Sequence, residues 1–183
     1  MAFKGKQISN PVSGQTIEFL TTAKDSNGQL LEMVSTWQPH SAQLAPHFHP
    51  RQDEVFRVLE GELTLQVRGK KYKLQKGDTV HLSAGSVHSM WNESAEKVVA
   101  HWQVSPALQT EYFLETAMGL AADGKVSEKG VPGLLQVAVM AKKFRQEFRL
   151  SRPAFLLQQL LFSAMLPFAL LRGRKAVYAK YID

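Results

Sequence analysis

His47, Phe48 and His49 stand together, Glu54 follows five positions after His49, and His88 completes a set of four side chains able to bind a divalent cation. In an extended strand successive side chains point to opposite faces, so His47 and His49 share one face while Phe48 takes the other. Two imidazoles about 7 Å apart along a strand close on one ion if the strand curves. Glu54 comes after the turn-like stretch Pro50-Arg51-Gln52-Asp53 and opens the apolar run Val55 to Leu59, so its carboxylate can reach back across a hairpin to the same ion. The chain has no cysteine, which excludes disulfides and thiolate ligands. Imidazole and carboxylate donors suit Fe(II), Mn, Ni or Zn better than Cu(I) or an iron–sulfur cluster.

The elements that must hold these residues are short strands. Leu30 to Trp37, Val55 to Leu59, Leu63 to Val67, Tyr72 to Leu74, Thr79 to Leu82 and Lys97 to Val104 read as strands, separated by turns at Glu60-Gly61-Glu62, Arg68-Gly69-Lys70 and Lys76-Gly77-Asp78. In Leu63 to Val67 apolar and polar residues alternate cleanly, the mark of a half-buried strand. Many short strands at this spacing predict a small barrel or jelly roll. After Pro106 the period becomes helical. Leu114, Ala117, Met118 and Ala121 share one helical face, with Asp123-Gly124 as a stop. A second helix opens at Pro132-Gly133 and carries an apolar stripe from Leu134 through Phe144 to Phe148. A third follows Ser151, an N-cap candidate, and runs apolar from Ala154 to Leu171 with an interruption at Pro167. At 183 residues, 44% hydrophobic and 21% charged, the chain is globular rather than disordered.

Two motifs coincide around the ligand candidates. The first is His47-x-His49, then Glu54, then Gly61; the second is Gly77, Ser83-Ala84-Gly85, His88 and Asn92. Their spacings resemble the paired motifs of the cupin superfamily. Two positions depart from the family pattern: Ser41 stands where a glycine is usual and Ser83 where a proline is usual. The resemblance implies a mainly β fold, a cupin-type jelly-roll barrel over residues 1–106, followed by two or three C-terminal helices over residues 107–183. It also implies one divalent metal ion held by His47, His49, Glu54 and His88, with Fe2+ the first choice and Mn2+, Ni2+ or Zn2+ the alternatives. Four such donors leave two open positions on an octahedral ion, where water, O2 or a chelating substrate can bind.

If His47, Glu54 and His88 point inward, alternation places Phe56, Val58 and Met90 inward as well. A pocket lined by those three suits an apolar or aromatic organic molecule better than a sugar or phosphate. His40, His81 and His101 are expected to be structural or exposed. No glycine-rich phosphate loop and no nucleophile motif is present. The reading is therefore a metal-dependent, dioxygenase-like enzyme whose catalytic residues beyond the ligands are unknown. The alternative is a non-catalytic cupin that binds or senses a small molecule, and a homodimer is expected in either case.

Charge separates the two halves. Residues 1–124 hold 11 basic and 13 acidic side chains, whereas residues 125–183 hold 11 basic and 3 acidic. The basic residues flank apolar helices and follow no nucleic-acid-binding pattern, so no nucleic-acid partner is expected. Arg149 and Arg152 precede the apolar stretch 154–171, and Arg172, Arg174 and Lys175 follow it. That stretch can pack on the barrel or on a second copy, lie on a membrane surface through residues 151–175, or span a bilayer, for which it is barely long enough. The N-terminal residues carry no apolar stretch behind their lysines, so the expected location is cytoplasmic, at most peripheral to the inner face of the membrane.

Overall fold

The structure, a computed structural model, describes residues 1–182. Period-two burial builds its strands. In β3 (Leu31–Trp37) Leu31, Met33, Ser35 and Trp37 are buried while the residues between them are half exposed. In β5 (Asp53–Glu60) the inward set is Glu54, Phe56 and Val58, and in β10 (Val98–Ser105) it is Val98, Ala100, Trp102 and Val104. Strand alternation thus carries one carboxylate into the barrel on the same face as its apolar neighbours.

Among the described residues eleven strands form two sheets. The first has the order β1 (Gln7–Asn10), β2 (Gln15–Thr21), β3, β10, β5 and β8 (Thr79–Leu82). The second has the order β11 (Arg149–Leu150), β4 (His47–Phe48), β9 (His88–Trp91), β6 (Glu62–Val67) and β7 (Lys70–Gln75). Each named pairing is antiparallel. The core between the sheets includes Phe19, Leu31, Met33, Phe56, Val58, Leu63, Leu65, Met90 and Val104. A large apolar side chain fully buried in this way contributes roughly 1.5–3 kcal/mol.

The turns are fixed by specific groups. Gly61, with φ +78°, joins β5 to β6, and a Cβ there would come within 2.5 Å of the Lys97 carbonyl, so only glycine fits. Asn92 is fully buried; its side-chain amide donates to the carbonyls of Trp37, Gln38 and Glu96, and its own backbone N–H donates to Ser41 Oγ. The serine at the usual glycine position therefore clasps the end of the second motif.

The helical part comprises α1 (Thr110–Ala122), α2 (Leu134–Lys143), α3 (Phe155–Leu171) and a single turn, α4 (Ala179–Ile182). Three expectations change here. The stripe through Phe144 and Phe148 does not make one helix: α2 ends at Lys143, and Phe144 is its C-cap. The chain turns over the next residues so that Phe148 leaves the helical stripe and β11 can pair with β4 through Arg149–Phe48 and Leu150–His47. Ser151 is not an N-cap, because its N–H goes to the Pro46 carbonyl and α3 starts after Ala154. Pro167 does not interrupt α3, which runs through it as 17 continuous residues. The ring and the backbone bond it forfeits lie on the exposed side of the helix, where solvent can satisfy the freed carbonyl. No helix among the described residues is long and apolar enough to cross a membrane.

Candidate metal centre

His47 and His88 are direct cross-strand partners in β4 and β9, which explains how residues far apart in sequence come to adjoin. Glu54 faces them from the opposite sheet, on β5 between β10 and β8. His49 lies just past β4, in a segment tied down by the Gly85 N–H bonded to the His49 carbonyl at 2.9 Å. All four side chains are buried. The donor nitrogens of His47, His49 and His88 lie within 4.8 Å of one another. Glu54 Oε2 lies 3.2 Å from His49 Nε2 and 3.1 Å from His88 Nε2.

The outer edge of each ring decides the chemistry of the inner edge. His47 Nδ1 is 2.9 Å from the Ala45 carbonyl, His88 Nδ1 is 2.9 Å from the Ser86 carbonyl, and His49 Nδ1 is 2.5 Å from the Glu147 carbonyl. A carbonyl only accepts, so each Nδ1 must carry the proton, and in a neutral ring Nε2 then presents a lone pair. Glu54 is oriented in the same way. Trp102 donates its indole N–H to Oε1 at 3.0 Å, which leaves Oε2 turned toward the imidazoles. Glu54 Oε2 and His49 Nε2 are accordingly buried without a hydrogen-bond partner. Lone pairs that converge in a dry interior require a positive charge among them.

With no cation between them, the rings and the carboxylate offset one another. Burial pushes the His47 imidazole down to about 3, and the neighbouring His88 and His49 add to the effect. For Glu54 burial works to raise the carboxyl, but His49 and His88 outweigh it and hold the group down at about 2. Burial likewise opposes a charge on His88, yet Glu54 beside it raises that imidazole above its ordinary value. The carboxylate is an anion, and a cation between it and the rings satisfies all four donors. Three clustered imidazoles, with a buried carboxylate beside them, fit a divalent ion of the borderline class.

The expected pocket is partly in place. A cavity of about 50 Å³ adjoins the cluster, lined by His47, Glu54 and His88 together with Phe56, Met90, Trp37 and Trp102. Val58, expected beside Phe56 and Met90, lies further along β5 in the barrel core and is not among the lining residues. Phe56 and Trp102 are register partners with rings stacked 5.3 Å apart, so the indole that steadies Glu54 is itself braced. On the other side, a cleft of about 590 Å³ is lined by Arg68, Gln66, Leu150 and Arg152. His88 borders both spaces. The other histidines lie elsewhere: His40 is exposed, His81 faces Asp53 at 3.4 Å, and His101 faces Glu32 at 3.5 Å.

Three contributors are not evident from the two motifs. Trp102 follows the inward phase of β10, and that alternation is its signal. Glu147 and Phe148 come from the helical part: the Glu147 carbonyl fixes the His49 ring, and the Phe148 ring stacks on His47 at 4.7 Å. Phe148 is backed in turn by Phe113 of α1 at 4.8 Å. The signal for this segment is a single acid, Glu147, set in a strongly basic stretch.

Comparison with known proteins bears on this arrangement. The cupin domain family matches residues 33–104, which contain all four cluster residues. The chain belongs to the cupin superfamily. A quercetin 2,3-dioxygenase from Bacillus subtilis is 32% identical over 75 residues, which is 41% of this chain but 22% of the dioxygenase, so the match spans about a fifth of that protein. An uncharacterized protein from Aquifex aeolicus is 39% identical over 101 residues, covering 50% of this cupin and 84% of that chain. Among solved structures, KdgF from Halomonas sp. aligns with a TM-score of 0.49 at 17% identity, over 57% of this chain and 91% of its own. The cupin domain of a transcriptional regulator from Enterobacter cloacae aligns with a TM-score of 0.45 at 19% identity, over 50% of this chain and 96% of its own. This cupin is thus a mainly β, double-sheet protein with a three-histidine cluster that fits a divalent metal.

Proposed function

We propose that this cupin is a metal-dependent enzyme, dioxygenase-like in reaction class, acting on a small apolar or aromatic molecule. The observation that carries the reading is the fixed tautomer of three rings: every Nδ1 is committed to a backbone carbonyl, and the opposing lone pairs meet a buried carboxylate. His47, His49, His88 and Glu54 would hold the ion, with Fe2+ favoured and Mn2+, Ni2+ or Zn2+ as alternatives. Such an ion supplies Lewis-acid or redox chemistry to whatever occupies its open positions. The chain's own groups do the rest. Trp102 holds the carboxylate in place, Phe148 and Phe113 keep water from the His47 side, and Phe56, Met90 and Trp37 give the cavity an apolar wall. The partial likeness to a quercetin dioxygenase supports the reaction class.

A second reading has its own support. The cavity of about 50 Å³ admits a diatomic gas or a water, not an aromatic ring. So small a site favours a non-catalytic protein that binds or senses a small ligand at the metal. One experiment addresses both. The purified chain is analysed for metal, loaded with Fe2+, and followed by O2 electrode with a flavonol, a phenol or a diketone. The enzyme reading expects about one metal per chain and O2 uptake that His88→Ala abolishes. Metal at that stoichiometry with ligand retention and no O2 uptake would favour the sensor, and a metal-free protein that takes up no Fe2+ would remove both.

A further inference from the structure

The α3 helix contains no charged residue over its 17 positions. At 100° per residue, Gln158, Phe162 and Ala169 fall together on one side of the helix, and these are its buried residues. Leu156, Leu160, Pro167 and Leu171 occupy the opposite side. The leucines there are 76%, 71% and 86% exposed, and Phe168 on the flank is 65% exposed. The helix is apolar well beyond the face that the protein covers. Gln158 faces the protein beside Phe162 and Ala169, donating to the carbonyls of Leu150 and Pro153, while Leu156, Leu160 and Leu171 face outward. A continuous outward apolar face of this size marks a surface made to be covered.

The helix cannot roll to hide that face, because both ends are pinned. At its start, β11 is paired into the barrel and the Arg149 guanidinium sits 4.0 Å over the Phe155 ring. At its end, Gln136 of α2 bonds the Lys175 carbonyl and accepts the Tyr178 hydroxyl. Leu134, two residues from that anchor, is also 57% exposed.

Charge identifies the cover. Arg149 and Arg152 lie before α3, and Arg172, Arg174 and Lys175 lie after it. Among the described residues none of these makes an ion pair with a carboxylate. A second copy would bring the same 11 basic and 3 acidic side chains of residues 125–183 against them, so like charge would meet like. An anionic lipid surface meets both requirements: acyl chains for the leucines and headgroups for the cations at each end. At roughly 1.5 Å per residue the helix is about 25 Å long, and it must lie in the interface rather than cross it.

We propose that the outward leucine face of α3, with its flanking arginines, docks this cupin in the plane of an anionic membrane surface. The proposal does not depend on the metal. It is tested by sedimenting the full chain with vesicles of phosphatidylcholine alone and of phosphatidylcholine mixed with phosphatidylglycerol. The expected result is at least ~10-fold stronger binding to the anionic vesicles, because each cation near such a surface contributes about a factor of five. Leu156→Ser with Leu160→Ser should abolish binding to both vesicle types. Arg172→Gln with Arg174→Gln should weaken binding to the anionic vesicles at least ~10-fold and leave binding to the neutral ones unchanged. Both pairs are surface changes, and thermal melts should show the fold retained. Equal binding to neutral and anionic vesicles, or no binding to either, overturns the proposal. So does a dimer, seen by analytical ultracentrifugation, that the leucine pair dissociates while vesicle binding persists.

Discussion

In β5, Glu54 points into the barrel among apolar side chains; in α3, leucines point out of the protein into the surroundings. Each breaks the usual segregation of apolar inside and polar outside, in opposite senses. Both are also held rigidly, Glu54 by Trp102 and α3 by Gln158 and the strand β11. A misplaced group that were merely tolerated would relax toward a partner or toward solvent. Here neighbouring hydrogen bonds keep Glu54 among buried imidazoles and keep the leucines of α3 uncovered. Both proposals rest on such a group held in place by its own neighbours: a cation proposed for the barrel, and a lipid surface proposed for the tail.

The largest effect should come from removing a donor at the barrel. His49→Ala should lower metal content from about one per chain to background by elemental analysis. In the intact protein, metal at a thousandfold excess over its Kd should add ~4 kcal/mol of stability, read as a higher Tm than in chelator. A melt that metal leaves unchanged would reduce the barrel to an ordinary packed core and end the comparison. Next in size is Trp102→Phe, which keeps the ring that stacks on Phe56 but loses the N–H to Glu54. Metal affinity should fall ~10–100-fold, the usual effect of losing a group that orients a ligand, and an unchanged titration would show that Glu54 needs no support.

Phe148→Ala probes the link between the two regions, since this ring spans His47 of the barrel and Phe113 of α1. Unfolding by denaturant should show a loss of ~2–3 kcal/mol, less than a fully buried Phe because the site is half exposed. A loss confined to the tail, with metal affinity unaltered, would separate the regions.

The smallest effect belongs to Asp123, which sits at the end of α1 with Lys180, Tyr181 and Lys125 around its carboxylate. Lys180 first, then Tyr181 and Lys125, hold the carboxyl well below the usual carboxylate range. A depressed native pKa means that the contribution is full above about pH 4, the unfolded value, and is lost as pH falls toward the native one. Melts of the wild type and Asp123→Asn should therefore differ slightly at neutral pH and converge in acid. A difference that widened in acid would contradict that sign.

Much of the barrel is legible in the chain because period-two burial writes itself into β3, β5 and β10 as alternating residue types; in β6 the residue types alternate although Thr64 is buried along with Leu63 and Leu65. The strand β9 is harder. All four of its residues are buried, and His-Ser-Met-Trp has no alternation to detect. The strands β4 and β11 are two residues each, too short for any period, and exist because the tertiary pairing of Arg149 with Phe48 and Leu150 with His47 holds them. The two motifs name His47, His49, Glu54 and His88 as candidates because the spacing of ligands between turn glycines is local. Val58 shows the limit of alternation: it is inward as expected, yet inward in a barrel means core as readily as cavity.

Residue types and their order alone determine that this chain makes short strands and then helices, that its cation-binding side chains number enough for a metal, and that its positive charge gathers at one end. Only the tertiary structure decides that the tail returns to the barrel, so that the Glu147 carbonyl sets the proton on His49 and Phe148 covers His47. It alone decides that α3 turns Gln158 inward with Phe162 and Ala169, and Leu156, Leu160 and Leu171 out. The reason is physical: periodicity defines faces relative to an element's own axis, whereas which face meets protein depends on contacts between segments distant in sequence.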